Sequence, residues 1–236
     1  MFDAIAPRYD LLNSVLSVRL HHHWRRVAAA QTRLSPGDRA LDVCTGTGDL
    51  ALELARRVGR SGQVIGGDFS LPMLRLGAEK AARRGGIVRM ALADAQRLPF
   101  SDNLFDAATV AFGIRNVTDI EQGIREMARV VRPGGRVVLL EFSQPTNPVF
   151  AALYRWYSFT VLPFLGGLIS GRRSAYEYLP SSVRAFHSRE ALTQVMSQAG
   201  LRDITVTNLT FGTVAIHCGV KDAAPVSSGD REGKSG

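Results

Sequence analysis

One passage, at residues 39–51, constrains the fold of this chain more than any other. Arg39-Ala40-Leu41-Asp42-Val43 is a short apolar run that feeds directly into Cys44-Thr45-Gly46-Thr47-Gly48-Asp49-Leu50-Ala51. Glycine takes backbone conformations closed to other residues and lets a ligand approach the main chain, so this reads as a tight strand-to-helix turn that aims a helix N-terminus at whatever lies above the strand. The same alternation recurs downstream. Apolar runs at 63–68, 87–93, 105–112 and 136–142 read as strands, with helical periodicity near 48–59, 70–84 and 119–132 between them. Strands separated by helices imply right-handed crossovers, a mostly parallel sheet and a ligand site at the carboxyl ends of the strands. The expected fold class is α/β, Rossmann-like.

The flanks are less regular. Residues 3–33 read as helical, with Ile5, Tyr9, Leu12, Val15 and Leu16 spaced at threes and fours, a break near Pro7, and an end before the turn Ser35-Pro36-Gly37-Asp38. This is an N-terminal cap over 1–34. Past residue 142 come an apolar segment, a helix near 188–199, and strands at 202–209 and 212–220, expected to form an antiparallel hairpin at one sheet edge. The segment 149–170 carries only Arg155 as a charge, but Pro163 and Gly166-Gly167 interrupt it, which argues against a membrane-spanning helix. It is read within an insert at 149–182 that is either a buried cover or a lid. Residues 222–236 lack apolar periodicity and are expected to be a disordered tail, leaving one domain over 1–221 without internal repeats.

Composition narrows the setting. Two cysteines, Cys44 and Cys218, make neither a disulfide framework nor a four-ligand zinc site, and the N-terminus lacks the basic and apolar regions of a secretion signal, so the cytoplasm is expected. The net charge of +8 rests on 26 arginines and three lysines and favours anionic partners: nucleic acid, phosphate-bearing substrates or an acidic lipid surface.

The charges around the glycine turn select its ligand. Gly46-x-Gly48-x-x-Ala51 satisfies the dinucleotide fingerprint, yet Asp42 and Asp49 flank it. Two carboxylates repel a pyrophosphate and suit a ligand bearing an ammonium and a sulfonium, which favours S-adenosylmethionine over NAD; Asp49 also suits a helix N-terminus. Asp68, ending the second strand about 20 residues after the glycines, is placed to accept both ribose hydroxyls, or alternatively to cap the next helix. Asp94-Ala95, ending the third strand, can meet an adenine edge. With the turn Pro133-Gly134-Gly135, the set resembles class I S-adenosylmethionine-dependent methyltransferases.

Longer segments resemble one family: the quinone-biosynthesis C-methyltransferases that act on demethylmenaquinol or a polyprenyl methoxybenzoquinol. They are Tyr9-Asp10-Leu11-Leu12-Asn13-Ser14-Val15-Leu16-Ser17-Val18-Arg19-Leu20-His21-His22-His23-Trp24, then Phe112-Gly113-Ile114-Arg115-Asn116-Val117, then Arg129 to Arg136 leading to Leu140-Glu141-Phe142-Ser143. The positions Tyr176, Tyr178, Leu179 and Ser182 also match, and coverage is about residues 2–221. The resemblance implies that Thr47, Asp68, Asp94 and Ala95 contact the cofactor, joining Gly46 and Gly48 of the turn. Ala111 stands where many relatives have serine, so one hydroxyl contact is missing. The chain starts inside the family's usual N-terminal helix, and a start a few residues upstream is the expectation.

Methylation at carbon needs a nucleophilic ring carbon, which a hydroquinol supplies once a phenol is deprotonated and an oxidised quinone does not. Alignment and phenolate stabilisation then fall to the protein. Arg115 is expected to lower the phenol pKa from about 10, with Asn116 holding the same oxygen or a water that takes the proton; a salt bridge is the alternative for Arg115. Consecutive helical histidines point about 100° apart, so His21, His22 and His23 cannot converge on one metal ion, no metal is expected, and at most one of them faces the site as a general base. Cys44 is read as packing. Trp156, Tyr157, Phe159 and Phe164 are read as lining a groove for a polyprenyl tail and touching an anionic membrane surface.

The expected partners are therefore a polyprenyl quinol and the inner membrane face, and a homodimer is compatible with them. Demethylmenaquinol is preferred to the benzoquinol. A nucleic-acid methyltransferase is disfavoured because the basic residues are dispersed and neither an RNA-binding module nor a base-methylation motif is present. A non-catalytic cofactor-binding scaffold is disfavoured by Arg115 and the glycine turn.

Overall fold

The computed structural model describes residues 14, 17, 19–145, 147–157, 160 and 182–222. Seven strands among these form one sheet in the order β3-β2-β1-β4-β5-β7-β6. The strands are β1 (Arg39–Val43), β2 (Gln63–Asp68), β3 (Val88–Leu92), β4 (Phe105–Ala111), β5 (Val131–Phe142), β6 (Leu201–Leu209) and β7 (Val214–Lys221). The first five pair in parallel, and the order reverses between β1 and β4, which opens a crevice there at the carboxyl ends. The expected α/β sheet is present, with strand ends within a residue or two of those read from the apolar runs except at the start of β5. That strand begins five residues early because Val131 pairs with Phe105 ahead of a bulge that the Pro133-Gly134-Gly135 turn occupies.

The helices follow as α1 (Leu20–Gln31), α2 (Asp49–Val58), α3 (Leu71–Ala82), α4 (Ile120–Val130), α5 (Pro148–Trp156) and α6 (Arg189–Gln198). Alternation along β5 divides the core. Val137 and Leu139 face α4 and α6, packing with Phe105, Ile124, Met127, Leu192 and Met196. Val138 and Leu140 face α1, packing with Trp24, Ala28, Ile216 and Cys218. On that same side, Leu50, Leu54 and Val58 of α2 cover Ala40, Val64 and Val88. Both faces of the parallel strands are therefore buried, as crossover helices require.

The antiparallel C-terminal pair lies at the sheet edge as expected, with one addition. The returning strand β7 inserts between β5 and β6, so His217 pairs with Leu139 on one side and Val206 on the other. The N-terminal cap differs from its expectation of near-continuous helix over 3–33. Arg19 adopts a left-handed backbone with φ 62°, the Arg19 amide donates to the Ser14 carbonyl and the Leu20 amide to the Ser17 carbonyl, and α1 begins only after this turn. Residues 1–13, most of the 149–182 insert including Phe159 and Phe164, and the tail from 223 lie outside the described residues.

Candidate active site

A cleft of about 350 Å³ opens over the carboxyl ends of β1, β2, β3 and β4. Gly46, Asp68, Asp94, Ala95 and Asn116 all line it, so five of the residues singled out from sequence meet in one place. A smaller cavity of about 20 Å³ adjoins it, sharing Cys44, Gly46 and Ala111 and adding Arg25, Asp42, Thr47 and Asp49.

The glycine turn builds the floor. Gly46 and Gly48 have φ of 57° and 82°, the left-handed region that favours glycine. A Cβ on Gly46 would meet nothing within 4 Å, because that face of the residue is open to the cleft, whereas one on Gly48 would strike the Met90 side chain at 2.7 Å. Asp68 ties the turn to β2: its carboxylate accepts from the Gly46 amide at 2.8 Å and from the Ser70 amide at 2.9 Å. The cap of α3 is Ser70, whose hydroxyl accepts from the Met73 amide. Asp68 is thus a cleft residue rather than a helix cap, and each of its oxygens can accept more than one hydrogen bond. Asp94 is exposed at the cleft margin and accepts from the Gln96 amide at 2.9 Å, while Ala95 is buried beside it.

The two acids flanking the turn sit differently from one another. Asp42 is 1% exposed, and its two oxygens accept from the Thr45 and Thr109 hydroxyls at 2.6 and 2.7 Å. Burial lifts its carboxyl to about 6, against the pull of those hydroxyls and of Arg25. Asp49 accepts from the Lys80 ammonium at 2.9 Å and lies 3.9 Å from Arg25. Burial works to raise its pKa, but Arg25 and Lys80 prevail and hold it below the usual carboxylate range. Lys80 also donates to the Thr47 hydroxyl at 3.0 Å. Thr47, expected on the cofactor, lines the smaller cavity with its hydroxyl held from behind by Lys80.

Arg115 sits behind the cleft lining. The short 3₁₀ turn Ile114–Asn116 follows the left-handed Phe112 (φ 58°), and Asn116 faces the cleft. Arg115 turns inward: its Nη1 donates at 2.6 Å both to Glu141 and to the Phe112 carbonyl, and its guanidinium lies 5.4 Å from the Phe142 ring centre. Both side chains of this pair are more than nine-tenths buried. Burial pushes the Glu141 carboxyl up, and Arg115 pulls it down. Arg115 Nε and Glu141 Oε2 are buried without a hydrogen-bond partner among the described residues. Gly113 at this corner has no room for a side chain, since a Cβ there would collide with the Cβ of Cys44.

No histidine is among the described residues lining the cleft. His21 is buried on α1, with Nδ1 against Arg25 Nη1 and Nε2 3.2 Å from the Ser14 hydroxyl, and His23 is exposed. Cys44 is driven far above the ordinary thiol range, first by burial and then by the carboxylates around it, which suits packing and not nucleophilic attack. Among the described residues no cluster of three or more His, Cys, Asp or Glu is placed to hold a metal ion. Sequence reasoning missed Arg25, Lys80 and Glu141. Glu141 alone carried a signal, as a carboxylate inside an apolar strand.

The model of the ubiE/COQ5 methyltransferase family matches residues 1–221. The ubiquinone/menaquinone biosynthesis C-methyltransferase UbiE of Geobacter sp. (strain M21) is 47% identical over 223 residues, 94% of each chain. The demethylmenaquinone methyltransferase of Thermus thermophilus is 51% identical over 219 residues, 93% of this chain and 99% of its own. Among solved structures, a SAM dependent methyltransferase from Aquifex aeolicus superposes with a TM-score of 0.61 at 18% identity, covering 83% of this chain and 88% of its own. The [4+2]-cyclase SpnF superposes with a TM-score of 0.69 at 21% identity, covering 95% of each. A cyclase and a methyltransferase share this fold, so these two likenesses speak to architecture alone.

Proposed function

The chain belongs to the ubiE/COQ5 methyltransferase family, and on that premise we propose that it methylates a ring carbon of demethylmenaquinol to give menaquinol. The observation that carries the naphthoquinol substrate is the 51% identity to the Thermus demethylmenaquinone methyltransferase across 99% of that protein. The donor is S-adenosylmethionine, and the site fits it. Asp68 offers carboxylate oxygens at the second strand end, Gly46 presents an open main-chain face, and the adjoining cavity places acids and an arginine side by side for a zwitterionic tail. When bound, S-adenosylmethionine supplies a methyl group on a positively charged sulfur, open to direct attack by carbon.

The chain's own residues have two tasks, to orient the ring and to favour its phenolate. Asn116 faces the cleft and is the proposed hydrogen-bond partner of the quinol oxygen or of a water that takes its proton. Arg115 is proposed to act from just behind it. Its Nη1 is fixed by Glu141 and the Phe112 carbonyl, its Nε–H is buried without a partner among the described residues, and that N–H is the proposed donor to the oxygen or water. A guanidinium beside a phenol lowers its pKa from about 10, and the Glu141 carboxylate paired with Arg115 offsets part of that pull. An isoprenoid tail keeps such a substrate in a bilayer. The exposed Val149, Trp156 and Phe211, on a chain of net charge +8, support work at an anionic membrane surface, and we place that surface on the cytoplasmic side.

Purified enzyme with S-adenosylmethionine tests the assignment directly. Methylated product is expected from demethylmenaquinol kept reduced, and none from demethylmenaquinone. Preferred methylation of a polyprenyl methoxybenzoquinol would move the substrate to the benzoquinol, and product from neither quinol would reject the reading.

A further inference from the structure

Arg25 is one turn into α1, well away in sequence from the glycine turn, yet its guanidinium lines the small cavity beside Gly46 and Thr47. The side chain is 8% exposed. A largely buried arginine normally spends its planar fork on carboxylates or carbonyls. Here, among the described residues, every polar contact runs through one nitrogen. Nη1 donates to His21 Nδ1 and, at 3.4 Å, to the His21 carbonyl, and Nη1 is also the atom 3.9 Å from Asp49. That Asp49 contact, to Oδ2, is a loose ion pair beyond hydrogen-bond distance, while Oδ1 holds Lys80 at 2.9 Å. The contact with His21, in which Nη1 is the donor, sets that ring as the Nε2–H tautomer and holds the guanidinium in place. The Phe112 ring, 5.5 Å from the guanidinium carbon, supports it further.

The cavity walls are polar and of both signs. Asp42, Asp49 and Arg25 all line it, and the space of about 20 Å³ holds a group the size of a water or a carboxylate. It adjoins the main cleft, with which it shares Cys44, Gly46 and Ala111. A ligand that extends from the cleft into this corner must present an anion to Arg25 and a cation toward the acids, which is the pattern of an α-amino acid.

We infer that Arg25 is a cofactor-binding residue that pairs with the methionine carboxylate of S-adenosylmethionine, making α1 part of the cofactor site. The inference rests on S-adenosylmethionine being the cofactor. It gives the Arg25 fork a carboxylate at closer range than Asp49, whose Oδ2 stands 3.9 Å away, and it makes α1, held to the sheet through Trp24, a wall of the cofactor site.

Calorimetric titration of the full chain separates this role from packing. The probes are S-adenosylhomocysteine, which carries the amino acid end, and 5′-methylthioadenosine, which lacks it. Arg25→Gln is expected to weaken S-adenosylhomocysteine by about 10- to 100-fold, the range of a lost charge-assisted pair, while 5′-methylthioadenosine binds variant and wild type alike. Arg25→Lys should recover part of the loss. Equal losses for both ligands would show that Arg25 only holds α1 in place, and unchanged affinity for both would equally overturn the inference. Failure of the unmodified chain to bind either ligand would remove the cofactor reading and the inference together.

Discussion

Two carboxylates at the ends of neighbouring strands show how one side-chain type takes opposite roles. Asp68 accepts two main-chain amides, one of them from the glycine turn, and faces the cleft. Asp68→Ala should weaken S-adenosylmethionine by about 1.5–3 kcal/mol in calorimetry, the scale of charge-assisted hydrogen bonds lost; full affinity in the variant would leave Asp68 only the task of holding the turn. Asp42 is sealed between two hydroxyls with Arg25 and the Ala51 amide nearby, and burial carries its carboxyl from 3.8 to about 6. A group whose folded pKa is raised binds its proton more tightly in the native state, so its contribution is fully present below the unfolded pKa and is lost as pH rises through the folded one. Between about pH 4 and 6 wild-type stability from this site should therefore fall with rising pH, by on the order of 3 kcal/mol in total. Asp42→Asn removes the titration. The midpoint of urea unfolding of the variant relative to wild type should climb across that window and level off above it, and a difference constant from about pH 4 to 7 would contradict the buried, proton-retaining carboxyl.

Helix α1 shows what a whole element contributes. Trp24 is 5% exposed, packs against Phe112 and Phe142 at 6.0 and 6.4 Å between ring centres, and donates its indole N–H to the Thr210 hydroxyl at 2.8 Å. It thereby joins the N-terminal helix to the corner that carries Asn116 and to the β6–β7 connection. Trp24→Ala should cost about 3–5 kcal/mol in urea unfolding. Trp24→Phe keeps most of the packing and should cost about 1 kcal/mol for the hydrogen bond; equal losses in the two variants would mean that the polar link, and not the packing, secures the helix. The element pattern behind this arrangement was largely readable beforehand. Apolar runs bounded by glycine turns mark β1 to β4, and because a parallel sheet gathers its strand ends, Gly46, Asp68, Asp94, Ala95 and Asn116 could be expected together. What escaped is what tertiary pairing decides. The start of α1 depends on a left-handed Arg19, which no local rule favours, and the place of β7 depends on which strand it meets, since periodicity identifies a strand but not its neighbours. Lys80 with Asp49 and Arg115 with Glu141 are 31 and 26 residues apart, joined by no repeat or spacing that a reader could follow.

The charge of the whole molecule bears on where its substrate is met. Net +8 on an arginine-rich chain places positive charge on several elements, with Arg56, Arg60, Arg75, Arg83 and Arg84 all exposed. Near an anionic leaflet each such residue contributes about 1 kcal/mol, and the attraction fades beyond a Debye length of about 10 Å at 0.1 M salt. In the proposed docking, apolar groups supply the second signal that stable anchoring needs. Val149 and Trp156 of α5 are 79% and 59% exposed, and Phe211, 73% exposed, meets Phe150 in a tilted ring contact at 4.7 Å between centres, which brings the β6–β7 corner to the same helix. Among the described residues no helix is long and apolar enough to cross a membrane, and the proposed docking runs through these side chains. Flotation with vesicles containing phosphatidylglycerol should show association at low salt that weakens steadily toward about 0.5 M, as screening shortens the reach of each charge. Trp156→Ser combined with Phe211→Ser should depress turnover on a long-tailed quinol several-fold more than on a short-tailed analogue, because only the former must be drawn from the membrane. No association at low salt, together with equal losses on both substrates, would reject membrane docking through this corner. The proposed role of Asn116 in the ring chemistry would stand on its own assay.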